Sequence, residues 1–243
     1  MIEQQTSNTN KPANGVYGVL PAVHLRPKLL DLYCGAGGAG WGYYLSGFDV
    51  TGVDLFEQPK HRKEMKFIQE NALEILDDVE YCRTFDVIHA SPVCKKYSIT
   101  ASLHNNEYPD DIPVVREKLK KIGKPYVIEN VPGAPLKNYV ILCGTMFGLK
   151  VIRHRLFECE PAIYFPPMAC SCDGKTNSHR AYSSFENGAR YITVAGNNYK
   201  ADDGREAMGI DWMTREYLSQ AIPPAYTKWI GEQMMTKLSL HCR

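Results

Sequence analysis

The sequence predicts an α/β protein whose core is a Rossmann-like, doubly wound parallel sheet, with a small irregular lobe added late in the chain. Three observations carry that expectation. Apolar runs alternate with stretches of helical spacing from residue 28 to about 150. The first run, Lys28–Cys34, opens directly into a glycine-dense turn and then a helix-like segment, the local order of a nucleotide-binding loop. After "RHRLFE" the texture changes to Pro, Gly, Asn and Ser with little helical period.

Taken in order, residues 1–25 are rich in Asn, Thr, Gln and Pro and read as a flexible extension. "KLLDLYC" is a short buried strand, "GAGGAGWG" the turn and "WGYYLSG" a helix. "DVTGVDLF" is a second strand ending in an acid, "KFIQENAL" a third, and "ALEILDDVEY" a helix. "FDVIHASPVC" reads as the fourth strand, "PVVREKLKKIG" as a helix and "PYVIENV" as the fifth strand. This divides the chain into a main domain over 26–158, a lobe over 159–205 and closing helices over 206–243, interrupted at Pro223 and Pro224.

A chain of 243 residues suits one large domain with a small appendage. The net charge of +1 excludes a global basic field, so any contact with nucleic acid has to come from local patches. The polar N-terminus has no signal-peptide pattern, and no apolar run approaches the roughly 20 residues of a membrane span. The expectation is a cytoplasmic protein whose eight cysteines are reduced.

The chemistry gathers at strand ends. In Asp31-Leu32-Tyr33-Cys34-Gly35-Ala36-Gly37-Gly38 the glycines let a ligand approach the backbone where a Cβ would clash. No Gly-Lys-Ser/Thr follows, so this is not a phosphate loop. Asp54 ends the second strand, where a carboxylate can accept from both ribose hydroxyls of an adenosyl group. Cys94, in "SPVCKKYS", follows the fourth strand and reads as buried filler, metal ligand or nucleophile. The fifth strand delivers Glu129 and Asn130 to the same edge. Burying a carboxylate there costs desolvation energy, and the raised pKa that results suits a general acid. Arg153 and Arg155, two apart on a strand, share a face and would fix a base, a phosphate or a carboxylate.

Gly-rich turn, strand-two acid, Pro-x-Cys, Glu-Asn-Val, Arg-x-Arg, irregular lobe and "SQAIPPAY", in that order, resemble the C5-cytosine DNA methyltransferase family, most of all its compact phage-encoded members. The resemblance covers residues 28 to about 235. It implies an S-adenosylmethionine-dependent methyltransferase sheet over 26–158 and a target-recognition lobe over 159–205. It also implies a monomer acting on a cytosine flipped out of double-stranded DNA. S-adenosylmethionine would lie on Asp31, Tyr33, Cys34, Gly35, Ala36, Gly37 and Gly38, with Asp54 on the ribose. Leu55, Asn71, Ala72, Pro92, Gln220 and Ala221 would complete that pocket. Cys94 would attack C6 of the base as thiolate. Glu129 would hold N3 and the exocyclic amine, and Arg155 the O2 edge. Arg153 would shape the pocket and its phosphate contacts, and Asn130 would brace the loop that carries Cys94. Lys95, Ser98, Arg180, Arg190 and Lys200 would face DNA.

The residue types suit that chemistry on their own terms. Cytosine C5 is a poor nucleophile until C6 is saturated, and only a soft nucleophile that leaves well can be expelled afterwards. Some positions depart from the family pattern. Val93 replaces a proline and Lys95 a glutamine, Asn71 stands for the usual acid, and Ser219-Gln220 replace Gly-Asn. An RNA cytosine methyltransferase and an inactive DNA-binding homologue are the alternatives, and carboxy-S-adenosylmethionine is an alternative donor. Cys159, Cys170, Cys172 and His179 raise the question of zinc. C-x-C is not the usual C-x2-C spacing, and no metal ligand is assigned.

Overall fold

The computed structural model describes residues 26–93, 110–163, 168–172, 184–187 and 190–241. The five expected strands are β1 (Lys28–Leu32), β2 (Asp49–Asp54), β3 (Lys66–Gln69), β4 (Val87–Ala90) and β5 (Tyr126–Asn130), all parallel. Central strands of such a sheet are covered on both faces, so β1 and β4 are apolar almost throughout rather than alternating. Alternate residues feed opposite layers. Leu29, Val50, Val87 and Val127 join α1 (Gly38–Leu45) and α7 (Pro224–His241) in one core. Leu30, Val53, Ile88 and Ile128 join α2 (Ala72–Asp77), α3 (Val79–Arg83) and α4 (Asp111–Ile122) in another.

Two further strands complete the sheet, β6 (Val140–Leu142) and β7 (Arg155–Glu160). Among the described residues the order is β3-β2-β1-β4-β5-β7-β6, with β7 antiparallel to both of its neighbours. The sheet is therefore mixed, where the sequence pattern predicts parallel strands only. The reason lies in the connection between β6 and β7. Residues 143–154 hold one 3-10 turn, Gly144–Phe147, and no helical crossover of the kind a parallel pairing needs, so β7 returns antiparallel and inserts between β5 and β6. β6 itself is three residues long with Ile141 exposed, which leaves no period to read. "ALEILDDVEY" is likewise two helices, because the Asp78 side chain accepts from the Tyr81 N–H and starts α3 afresh.

α7 lies very close to α1. Thr227 Oγ1 donates to Ala39 O at 2.7 Å, and a side chain on Gly42 would collide with that hydroxyl. Behind β7, Arg116 of α4 grips Glu158 with two bonds, at 2.7 and 2.8 Å. A third core joins Val151, Ile192, Val194 and Tyr199 to Met208, Ile210, Met213 and Leu218, from α5 (Ala201–Met208), α6 (Arg215–Gln220) and their linker. The second half of the expected lobe thus packs with the closing helices. Both of its expected boundaries, at 158/159 and 205/206, fall inside elements, β7 and α5. Among the described residues no helix is long and apolar enough to cross a membrane.

Candidate active site

The ends of β1, β2, β4 and β5 form one edge, and the glycine turn lies along it. Tyr33, Gly35 and Gly37 all take left-handed φ, at 59°, 50° and 81°. Glycine adopts that backbone freely, whereas Tyr33 does so at some cost. Gly35 N donates to Asp54 Oδ2 at 2.9 Å, and Phe56 N donates to Asp54 Oδ1 at 3.1 Å, which fixes the carboxylate beside the turn. Open space lies on the side-chain side of Gly35. Leu55 and Phe56 are exposed just beyond, and Phe56 was not anticipated from the sequence. Ala36 O accepts from Trp212 Nε1 at 3.2 Å, and Cys34 is buried with its Sγ toward Gly35 O.

Gly38 meets Ala221 and Ile222, where a Cβ would lie 2.7 Å from Ile222 O. Ala221 thus sits at the mouth of the turn, directly after Gln220 at the end of α6. Asn71 caps α2, its Oδ1 accepting from Leu73 N at 2.9 Å, with Ala72 buried behind it. Asp31 is 1 % exposed, and neither carboxyl oxygen has a hydrogen-bond partner. The Gly40 backbone N–H is the donor nearest to it. Burial pushes Asp31 up to about 8, against a weaker pull from that N–H.

Glu129 is the centre of the other half of the edge. It is buried and paired with Arg155, Nε to Oε1 at 3.1 Å. Desolvation holds its carboxyl above the usual range, with Arg155 and the Ser91 hydroxyl pulling the other way. Behind Ser91 runs a chain that sequence reading missed. Ser91 Oγ lies 2.9 Å from His89 Nε2, and His89 Nδ1 lies 2.9 Å from Tyr43 OH. Burial drives His89 down to about 3, so the imidazole is neutral and offers one donor and one acceptor nitrogen. The signal was a histidine inside the apolar run "FDVIHA", on a strand covered on both faces.

Asn130 stands beside Glu129 and ties the next strand end. Its Nδ2 donates to Pro92 O at 2.9 Å, while its Oδ1 accepts from Val131 N at 3.0 Å. Arg153 has a different setting from its expected phosphate contacts. It is buried, precedes β7, and donates to Val194 O at 2.6 Å and Ser219 O at 2.8 Å. Its own carbonyl accepts from Tyr226 OH at 2.7 Å. Arg153 therefore shapes the pocket from behind, by tying α6 and the Val194 segment to the approach to β7. Cys94, Lys95, Ser98, Arg180 and His179 lie outside the described residues. Of the other expected DNA contacts, Arg190 is exposed over the Tyr191 ring, and Lys200 pairs with Glu186 at the start of α5. Cys159 is a core residue of β7 and does not join Cys170 and Cys172.

No family model matches the chain, and no curated protein matches it in sequence. Solved structures do. A protein described as a DNA modification methyltransferase encoded within an E. coli prophage aligns with 88% of this chain and 99% of its own, at TM-score 0.58 and 13% identity. The fold is that of methyltransferases. DNMT2 of Spodoptera frugiperda aligns with 86% of this chain and 99% of its own, at TM-score 0.58 and 11% identity. The methyltransferase EhMeth of Entamoeba histolytica aligns with 88% of this chain and 99% of its own, at TM-score 0.58 and 14% identity. At such identities the likeness lies in the fold, and the residues have to argue the chemistry.

Proposed function

We propose that this protein is a cytosine-5 methyltransferase of double-stranded DNA that uses S-adenosylmethionine and a covalent adduct between Cys94 and C6 of the base. The observation that carries the reading is the Glu129–Arg155 pair, buried at the strand edge beside the Pro92 carbonyl that Asn130 holds. An acid and a guanidinium placed together there match the N3, amine and O2 positions of a cytosine ring, and Cys94 lies two residues beyond Pro92. The name of the prophage-encoded neighbour points to DNA as the substrate.

The glycine turn fits the cofactor. It offers open space beside Gly35, a fixed acid in Asp54 for ribose hydroxyls, and a buried, unpartnered acid in Asp31. When bound there, S-adenosylmethionine supplies an electrophilic methyl group. Burial raises the Glu129 carboxyl above its usual range, and in its protonated form it donates to N3 and draws electron density from C6. The Cys94 thiolate then gives its electron pair to C6, which makes C5 nucleophilic. Arg155 holds O2 and keeps Glu129 oriented. C5 then takes the methyl group, its proton passes to solvent water, the C6–S bond breaks to return the thiolate, and N3 gives its proton back to Glu129.

Nucleoside mass spectrometry on duplex DNA and on transfer RNA, each incubated with the donor and either wild type or Cys94→Ala, tests this. The expected result is 5-methylcytosine in DNA with wild type alone. Product in RNA only would overturn the choice of substrate. Product with Cys94→Ala would overturn the adduct, and its absence from both nucleic acids would overturn the reading as a whole.

A further inference from the structure

Three thiols and an imidazole converge beside the site, from segments distant in sequence. Cys143 follows β6, His154 stands between Arg153 and Arg155, and Cys170 and Cys172 lie beyond β7 at the root of the lobe. Their ligand atoms all lie within 4.8 Å of one another. His154 Nε2 is 3.6 Å from Cys170 Sγ and 3.5 Å from Cys172 Sγ. We propose that this cluster is a structural Zn2+ site of three thiolates and one imidazole.

Size is the first argument. Tetrahedral zinc, with sulfur at about 2.3 Å and nitrogen at about 2.0 Å, sets its ligand atoms about 3.5–3.8 Å apart. The two nitrogen–sulfur separations already have that value. Cys170 and Cys172 are closer, with sulfurs 3.0 Å apart. That is far longer than the about 2.05 Å of a disulfide, and a small rotation about χ1 opens it to a tetrahedral edge. Ligand chemistry is the second argument. Three soft sulfurs and one imidazole in a compact cluster select zinc over the hard divalent cations.

The outer shell is the third. Thr145 Oγ1 lies 3.3 Å from Cys170 Sγ and 3.6 Å from Cys143 Sγ, and the Ser171 N–H donates to that hydroxyl at 3.2 Å. The backbone N–H groups of Thr145 and Arg153 are directed at Cys143 Sγ. Donors around the sulfurs are what bound thiolates require. Cys143 and Cys172 are buried, while Cys170 and His154 are partly open, so the cluster is closed to substrate yet reachable by a metal ion.

The spacing hid the site. C-x-C is not the usual C-x2-C spacing, and Cys159 and His179 are the cysteine and histidine nearest to it in sequence. The companions that the fold brings in are Cys143, just after β6, and His154, between the two arginines. The metal would therefore fasten the root of the lobe to the segment that carries Arg153 and Arg155. This proposal stands apart from the assigned reaction, since it needs no substrate.

Elemental analysis of the full-length protein, purified under reductant, tests it directly. About one zinc per chain is expected, and Cys159→Ala should retain it. Exchange for Co2+ should give thiolate-to-metal charge transfer with the intense d–d bands of a tetrahedral site. Cys143→Ser and Cys172→Ser should each lose most of the metal. If those variants fail to fold, the wild-type cobalt spectrum still decides. Metal-free protein with all thiols titratable, an octahedral cobalt spectrum, a Cys170–Cys172 disulfide in the reduced preparation, or zinc lost from Cys159→Ala would each overturn the assignment.

Discussion

The two halves of the sheet hold their functional residues by different means. In the parallel half, register places them. Asp31 lies opposite Gly52 and His89 in neighbouring strands, and Asp54 and Glu129 reach the edge because their strands end there. In the antiparallel half, side chains hold the geometry. Arg153 is fixed on two carbonyls, Arg116 clasps Glu158, and His154 belongs to the cysteine cluster. The strands β1, β2, β4 and β5 are each locked on both sides by backbone hydrogen bonds, whereas β6 is a three-residue edge strand and the segment before β7 has little ladder of its own. Cross-links supply what the ladder lacks.

Glu129→Gln attacks the point where the halves meet, since Glu129 belongs to β5 and its partner Arg155 to β7. It carries the largest expected effect. Methyl transfer should fall by about 10²–10⁴-fold, the range for loss of a general acid, with binding of S-adenosylhomocysteine unchanged in calorimetry. Glu158→Gln should show the opposite profile. It leaves the 5 %-exposed Arg116 side chain without its anion, at a cost of about 3–5 kcal/mol in denaturant unfolding. The rate per folded molecule should stay within a few-fold of wild type. If the Glu158 variant instead loses rate without losing stability, the clamp is part of the site and the contrast fails.

Asp31→Asn sharpens the same comparison within the parallel half. Asp31 moves from 3.8 when unfolded to about 8 when folded, so the folded state holds a proton that the unfolded chain has released. Stability should therefore be full below about pH 4 and decline as pH rises toward about 8. The asparagine variant should lack that slope and be more stable than wild type at alkaline pH, by at most about 5 kcal/mol. Parallel melts across pH would show equal slopes if Asp31 is ionised in the folded protein.

How much of this was legible follows from the same division. Glycine positions, strand-end acids and the Glu-Asn pair are local features, so "DLYCGAGG", Asp54 and "IEN" could be read directly. Neither Arg153's carbonyl partners nor Cys143's companions could be, because Val194, Ser219 and Cys170 are distant in sequence and approach only when the chain folds. His89 is an intermediate case. A buried polar residue in a covered strand announces that a partner exists, but only β1–β4 pairing and α1 packing reveal Tyr43 on one side and Ser91 on the other.

Ser91→Ala has the smallest expected effect and tests that relay. The hydroxyl donates to Glu129 and so favours its charged form. Without it, Glu129 should hold its proton to higher pH, because burial is then opposed by the arginines alone. The rate at the plateau should change by no more than about tenfold, since one hydrogen bond is worth about 1 kcal/mol. The alkaline limb of the kcat profile should move upward, as catalysis needs the protonated acid. His89→Asn should move it the same way by a smaller amount, through loss of the bond that orients Ser91. A limb that stays in place in both variants would mean that Glu129 does not set the pH dependence, and that Tyr43, His89 and Ser91 serve packing only.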